Sequence, residues 1–94
     1  MRVKWLHAAL VNLGAEAQYI AEDSPAAAGR IVVAVTEAVA RLPRYPSLGR
    51  PGRVAGTREL IVTGTPYIIP YRVRGETVEI LRVFHAARKW PERF

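Results

Sequence analysis

The sequence predicts a two-layer α+β domain, in which a helical hairpin packs on one face of a small, mostly antiparallel sheet. Three observations lead to this fold class. The first residues alternate between polar and apolar, the middle of the chain repeats its apolar residues with a helical period, and the C-terminal part carries three strand-like runs separated by glycine turns. The predicted element order is therefore β-α-α-β-β-β, and residues 1–94 are interpreted as a single domain.

The first element is a short strand within the segment MRVKWL. Val3 and Trp5 lie on one side of an extended chain and Arg2 and Lys4 lie on the other, because successive side chains of a strand alternate. This pattern predicts one buried face and one exposed face for the strand.

Two helices follow the strand. From residue 8 to residue 22, apolar side chains recur at steps of three and four and form one stripe, made of Leu10, Leu13, Ala17, Ile20 and Ala21. Ser24 can then cap the free amides of a second helix, and Pro25 suits its first position. A second stripe lies between residues 25 and 42 and consists of Ile31, Val35, Ala38, Val39 and Leu42. The short connection predicts an antiparallel helical hairpin.

The segment PRYPSLGRPGRVAG, residues 43–56, is predicted to be a loop because it is dense in proline and glycine. Its glycines are expected at positive φ, and they are Gly49, Gly52 and Gly56. The segment lacks the GxGxxG and GxxxxGK[ST] patterns of phosphate-binding loops. It also precedes a predicted strand, whereas those patterns precede a helix. Arg50 and Arg53 within it can still bind a phosphate or an acidic partner.

Three strands are predicted after the loop, at residues 57–63, 66–74 and 77–85. The turns between them contain GTP and GE, which favours successive hairpins. Pro70 has no N–H to donate to a ladder, so we expect an edge position or a bulge in the middle strand.

Composition and charge restrict the class of partner. The chain has 14 Lys and Arg against 8 Asp and Glu, which gives a formal net charge of +6. Such a balance favours nucleic acid, an acidic protein surface or an anionic membrane as the partner. The absence of cysteine excludes disulfides and thiolate metal sites. No membrane span is predicted, because the sequence contains no uninterrupted apolar stretch of about 18 residues. The N-terminus faintly resembles a secretory signal, but polar residues interrupt its apolar run, so we expect no secretion.

Metal and cofactor chemistry is not predicted. His7 and His85 are far apart in sequence, and neither has a carboxylate at ligand spacing. Glu59 and Glu79 fall on different predicted strands, and we interpret both as ordinary exposed strand glutamates beside arginines, not as a catalytic pair. We therefore expect no metal and no cofactor.

The remaining candidates are basic. The predicted contacts to a target or an acidic partner are Arg50, Arg53, Arg58, Arg72, Arg74, Arg82, Arg88, Lys89 and Trp90. The sheet face away from the helices would carry Arg72 and Arg74, with Arg58 and Arg82 as candidates to join them. Trp90 is expected to pack on the core.

Residue types alone leave two interpretations of this basic set. Metal-free RNA cleavage needs a base, an acid and cations that stabilise the phosphorane, and the candidate residues for it are His85, Arg88, Arg58 and Arg82. The simpler interpretation is a contact surface, in which arginine stems cover apolar sheet residues and the guanidinium groups bind an acidic partner.

Several segments resemble a known family. GTREL, PYIIPYRV and EILRVFHAARKWP, together with YIAEDSPAAA between the predicted helices, closely resemble the RelE/ParE superfamily of bacterial toxins over nearly the whole chain. The resemblance implies a cytoplasmic toxin of a type II toxin–antitoxin system, without membrane contact, neutralised by a cognate acidic antitoxin, ParD-like or similar. It also implies one of two targets. RelE-like members cleave mRNA in the ribosomal A site, whereas ParE-like members are thought to poison DNA gyrase without hydrolytic chemistry.

Within the superfamily, the residues favour the ParE-like branch. RelE-like nucleases carry lysines on the first strand of the meander, at positions that fall here on Glu59 and Ile61. They carry an arginine directly after the tyrosine that opens the second strand, and here Ile68 follows Tyr67. Only Arg88 matches a family cation, and phosphorane charge needs cations at more than one oxygen. The expected function is gyrase inhibition; the alternatives are a ribosome-dependent mRNA endoribonuclease and a simple nucleic-acid-binding module.

Overall fold

The computed structural model describes all 94 residues. Its helices are α1 (His7–Ala21) and α2 (Pro25–Ala40). Its strands are β1 (Arg2–Trp5), β2 (Arg50–Pro51), β3 (Arg58–Ile61), β4 (Tyr67–Arg74), β5 (Thr77–Ile80) and β6 (Phe84–His85). The predicted α+β class and element order are confirmed, although the predicted loop contains β2 and the last predicted strand is divided. Neither helix has the length and apolar character needed to cross a membrane.

The strands form one mixed sheet in the order β1-β5-β4-β3-β2, and β6 also pairs with β4. β1 and β5 are parallel, and every other pair is antiparallel. The core lies between the sheet and the helical hairpin, where Ala9 of α1 and Val35 of α2 are buried with Ile69 and Tyr71 of β4. The sheet face that carries Ile69 and Tyr71 is the helical face, and its opposite is the open face.

The start of α2 forms as its sequence predicts. The Ser24 hydroxyl accepts a hydrogen bond from the Ala27 N–H at 3.1 Å, and Pro25 occupies the first turn. α1 departs from the predicted stripe, because its buried residues are Ala9 and Glu16 while Leu10 is exposed. Leu13 of the predicted stripe does pack against the core, and the carboxylate of Glu16 occupies part of the side of α1 that meets the sheet.

A bulge divides the last predicted strand into β5 and β6. The register advances by one residue between the β4–β5 and β4–β6 pairings, so Ile69 and Pro70 of β4 face the three residues 81–83. Pro70 has no N–H, so the ladder lacks a hydrogen bond at this point and can accommodate the extra residue. The Val83 N–H bonds instead to Asn12 Oδ1 of α1 at 3.1 Å. A bulge therefore lies opposite Pro70, but its extra residue belongs to the last predicted strand and not to the middle strand, which is central in the sheet.

The loop glycines are required for two different reasons. Gly56 has a φ of 78°, as predicted, whereas Gly49 and Gly52 do not have positive φ. A Cβ on Gly49 would lie 2.6 Å from Tyr71 Cε1, and a Cβ on Gly52 would overlap the Thr57 hydroxyl. Close approach of the loop to the sheet, not backbone conformation, therefore requires glycine at these two positions.

Candidate functional site

The open face carries rows of cations that the strand register brings together. Lys4, Glu79 and Arg72 are neighbours across β1, β5 and β4. The next row along the same strands includes Arg2 and Arg74. Paired residues of adjacent strands point to the same side, and this side is opposite to the helices. The predicted position of Arg72 and Arg74 is therefore confirmed.

Glu79 holds two of these arginines. Its Oε1 lies 2.7 Å from Arg72 Nε and 3.7 Å from Arg74 Nε. The hydrogen bond from Arg72 is the main cause that lowers the pKa of Glu79, and the charges of Arg72, Arg74 and Lys4 add to it. The carboxylate therefore stays ionised at neutral pH, and it is less exposed than either guanidinium group.

Glu59 is the centre of a second cluster on the same face. Arg50 donates to Glu59 Oε1 from Nε at 3.2 Å and from Nη2 at 3.0 Å. Arg53 donates to Glu59 Oε2 from its backbone N–H at 2.8 Å and from Nε at 3.0 Å. Burial would raise the pKa of Glu59, but these hydrogen bonds together hold it below the ordinary value.

The interpretation of Glu59 as an exposed glutamate is wrong, since its side chain is only 2% exposed. β2 pairs directly with the part of β3 that carries Glu59, and the segment after β2 brings Arg53 over the carboxylate. The arginines remain 48% and 43% exposed. The negative charge of Glu59 therefore lies beneath the two guanidinium groups, and these groups face solvent.

The C-terminal residues pack on the open face through aromatic contacts. The rings of Trp90 and Phe94 lie 4.9 Å and 6.2 Å from that of Phe84. Guanidinium groups lie over both outer rings, with Arg53 3.8 Å from the centroid of Trp90 and Arg82 5.4 Å from that of Phe94. Trp90 packs against the protein as expected, but on Phe84 of the open face and not on the core beneath the helices. Arg82 lies on the open face as predicted.

Arg58 does not join this face. It pairs with Tyr71 across β3 and β4, so both side chains lie on the helical face. Its Nη1 donates to the Gly49 carbonyl at 2.8 Å, and the Tyr71 hydroxyl accepts from the Gly49 N–H at 2.8 Å. The prediction that Arg58 extends the open face is wrong because the register of β3 against β4 gives it the opposite side from Glu59.

A third polar cluster lies where α1 meets β4 and β6, and the sequence did not indicate it. The buried Glu16 carboxylate accepts a hydrogen bond from the Tyr67 hydroxyl at 3.1 Å and pairs with Arg88 Nη2 at 2.8 Å. Burial, and then the Glu16 charge and hydrogen bond, raise the pKa of Tyr67 to about 12. The His85 ring meets the Tyr67 ring edge-on at 5.8 Å. In the structure Glu16 lies two helical turns after the buried Ala9, and because Ala9 was not part of the predicted stripe the sequence offered no signal for this position.

The four nuclease candidates do not converge. His85 and Arg88 border the same concavity of about 380 Å³, beside the buried Glu16. Arg58 bonds to the loop carbonyl of Gly49, and Arg82 lies over Phe94 on the open face. Lys89 is exposed and forms no ion pair, and no group of three His, Asp or Glu side chains can hold a metal ion. The arrangement presents cations for binding and does not surround a single phosphate with them.

A helical hairpin on one face of a small mixed sheet is the fold that the sequence resemblance to the RelE/ParE superfamily implies. Residues 3–90 match the family described as the ParE toxin of the type II toxin–antitoxin system parDE. The chain therefore belongs to the ParE toxin family, as the sequence resemblance predicts. Membership in a toxin–antitoxin family implies an antitoxin as partner.

Relatives and a solved structure agree with this family. The chain is 47% identical over 91 residues to the protein Y4kP of Sinorhizobium fredii, and the matched region covers 97% of this chain and 94% of that protein. It is 41% identical over 87 residues to Toxin RelE2 of Caulobacter vibrioides, with 93% and 97% covered. The structure of a chromosomal ParDE toxin–antitoxin system from P. aeruginosa matches with a TM-score of 0.82 and 32% identity, over 90% of this chain and 95% of that chain.

Proposed function

We propose that this chain is a non-enzymatic growth inhibitor that acts in the cytoplasm by binding DNA gyrase. Its cognate acidic antitoxin neutralises it by covering part of the open face. Of the contact residues predicted from the sequence, the proposal retains those on this face, which are Arg50, Arg53, Arg72, Arg74, Arg82 and Trp90. Gyrase as the target follows from the ParE-like resemblance, and the charge of the face supports a binding role.

The observation that carries the proposal is the buried carboxylate of Glu59. A RelE-like nuclease has a lysine at this position on the first meander strand. Here a carboxylate occupies that position and binds Arg50 and Arg53 at 3.0 Å each, so a negative charge lies where cleavage of a phosphodiester would need a positive one. The two other nuclease positions, Ile61 and Ile68, carry no charge.

The one retained family cation is also engaged. Arg88 pairs with the buried Glu16 at 2.8 Å, and this pairing neutralises its charge. A cation that is balanced by a carboxylate stabilises a developing phosphorane less than an unpaired one does. This pairing supports a structural role for Arg88 in fixing the C-terminal segment against α1.

Purified, antitoxin-free protein should inhibit DNA supercoiling by gyrase at micromolar concentration. Adding the acidic antitoxin should restore supercoiling in proportion to the fraction of toxin bound. The double variant Arg88→Ala with Glu16→Gln removes the retained cation without leaving a buried charge unpaired, and we expect it to inhibit like the parent protein. Unimpaired supercoiling at saturating toxin would contradict the proposal.

A ribosome-dependent endoribonuclease is the second candidate, favoured by the concavity that His85 and Arg88 share. One relative also carries the name Toxin RelE2. On translated mRNA, primer extension would then reveal cuts with codon periodicity, and His85→Ala would abolish them. If growth inhibition survives both His85→Ala and the Arg88→Ala, Glu16→Gln double variant, the nuclease function is excluded.

A further inference from the structure

Charge is segregated to one side of this molecule. Arg93 lines a concavity of about 380 Å³ on the open face with Arg72 and Arg74. The cations of the open face are therefore Arg2, Lys4, Arg50, Arg53, Arg72, Arg74, Arg82 and Arg93. Its carboxylates are Glu59 and Glu79, so eight cations and two anions leave +6, which equals the formal net charge of the whole chain. The remaining six cations and six anions of the chain cancel.

The segregation persists under a stricter count. Glu76 lies in the turn between β4 and β5, and Glu92 lies in the C-terminal segment, so both border the open face. When both glutamates are assigned to the open face, its net charge is still +4, and the net charge of the rest of the chain is +2. The positive potential is therefore concentrated on the sheet and is not spread over the surface.

The arginines of this face are held ready to bind an anion. Glu59 orders Arg50 and Arg53 and Glu79 orders Arg72, while Arg74 lies 3.7 Å from Glu79, and each carboxylate is less exposed than the arginines above it. Every cluster therefore keeps a net charge of +1, with N–H groups left to donate outward. A side chain that is already ordered loses less entropy on binding, and the planar guanidinium group matches phosphate oxygens.

The aromatic rings of the face do not offer a stacking platform. Arg53 and Arg82 lie over the rings of Trp90 and Phe94, and Phe84 packs against both rings from the sheet side. Single-stranded nucleic acids bind largely by stacking their bases on free aromatic faces. A ligand of this face would therefore be held through phosphates, which a duplex presents along its outside.

The large exposed apolar side chains lie mostly elsewhere. Most belong to α1, to α2 and to the segment after α2, and include Leu10, Val11, Tyr19, Val33 and Leu48. On the open face only Ile61 of β3, which pairs with Ile68, is a large exposed apolar side chain. A protein segment that docks stably needs apolar anchors in the centre of its interface. A face dominated by guanidinium groups therefore binds its ligand mainly through charge, and an acidic antitoxin segment that covers part of it would need its apolar anchors elsewhere on the molecule.

We propose that the open face binds the phosphate backbone of duplex DNA directly and without sequence specificity. The inference deepens the proposed function, because it gives that same face a ligand, and it rests on the face being free of antitoxin. It does not require gyrase itself to be the protein target. Bound to gyrase, such a toxin would contact the DNA segment that the enzyme holds.

Fluorescence anisotropy of antitoxin-free protein with a labelled duplex of about 20 base pairs tests the inference. We expect binding that falls steeply with salt, with a slope of log affinity against log salt of about −3 or steeper. Single-stranded DNA of the same length should bind more weakly. No binding at about 10 μM protein in about 50 mM salt would overturn the inference, and so would a preference for the single strand.

A pair of charge-matched variants locates the surface. Arg74→Gln with Arg93→Gln removes two open-face cations, of which Arg74 makes only the 3.7 Å contact and Arg93 makes no ion pair. We expect about tenfold weaker binding and a salt slope shallower by about two. Arg30→Gln with Arg44→Gln removes the same charge from exposed positions in α2 and the segment after it, and should change affinity by less than about twofold. Equal losses in both pairs would refute the assignment.

Two further outcomes separate this inference from the proposed function. If polyglutamate displaces the duplex at equal charge concentration, the face prefers acidic polypeptide and the DNA assignment fails. If supercoiling is inhibited by protein that does not bind DNA, the inference fails while gyrase inhibition stands. If DNA is bound as described and supercoiling is unimpaired, the inference stands and the gyrase proposal fails.

Discussion

Replacing Glu59 by glutamine removes one charge from beneath the open face while preserving the shape of the side chain. The carboxylate accepts hydrogen bonds from both arginine side chains and from the Arg53 N–H, at distances between 2.8 and 3.3 Å. Glutamine keeps one acceptor oxygen, and its NH₂ group must face a donor at the other position. The Glu59→Gln variant should therefore lose free energy of unfolding.

The size of the loss follows from the exposure of the partners. Removing one member of a buried ion pair costs roughly 3–5 kcal/mol when the other member stays buried. Arg50 and Arg53 are 48% and 43% exposed, so water can rehydrate them in the variant. We expect a loss of about 2 kcal/mol, which lowers Tm by about 10 °C in a domain of this size.

Urea unfolding at several pH values provides the measurement. The pKa of Glu59 is lowered in the folded protein from its ordinary value of 4.5, so the stabilisation is present above that value and is lost as pH falls through the folded-state pKa. The difference between parent and variant should be full at pH 7, shrink below about pH 4.5, and leave the m-value unchanged.

The exposed residue Glu37 of α2 provides the control, since it forms no ion pair. Glu37→Gln should change the free energy of unfolding by less than about 0.5 kcal/mol at every pH. If Glu59→Gln is equally mild at pH 7, or if its cost persists undiminished in acid, the carboxylate does not organise the two arginines as described.

Two further predictions concern the backbone. Gly49→Ala should lower the free energy of unfolding by about 2 kcal/mol, because the new Cβ would lie 2.6 Å from Tyr71 Cε1. Gly14→Ala in α1 meets open space and should raise the free energy of unfolding by up to about 1 kcal/mol. Thermal unfolding should therefore shift Tm in opposite directions for the two variants, and shifts of the same sign would contradict this account. Ser24→Ala removes the acceptor of the Ala27 N–H and should cost about 1 kcal/mol in urea unfolding, while Ser24→Asp should restore most of it; a silent Ser24→Ala would mean that the cap does not stabilise α2.

Several structural elements of this protein could be predicted from short stretches of its sequence. Alternation in MRVKWL gave the half-buried first strand, Ser24 and Pro25 marked the start of α2, and the missing N–H of Pro70 predicted the bulge. Each of these features depends on residues close together in the chain. The resemblance of whole segments to the RelE/ParE superfamily extended this to the class of protein.

Tertiary structure decided which polar residues are buried and which face each cation occupies. Strand alternation predicts which residues share a side, but only the register of β3 against β4 gives Arg58 to the helical face and Glu59 to the open face. Glu16 is buried because Tyr67 and Arg88, distant in sequence, supply its hydrogen bond and its charge. A charged side chain tolerates burial only when partners compensate it, and those partners are brought together by long-range packing.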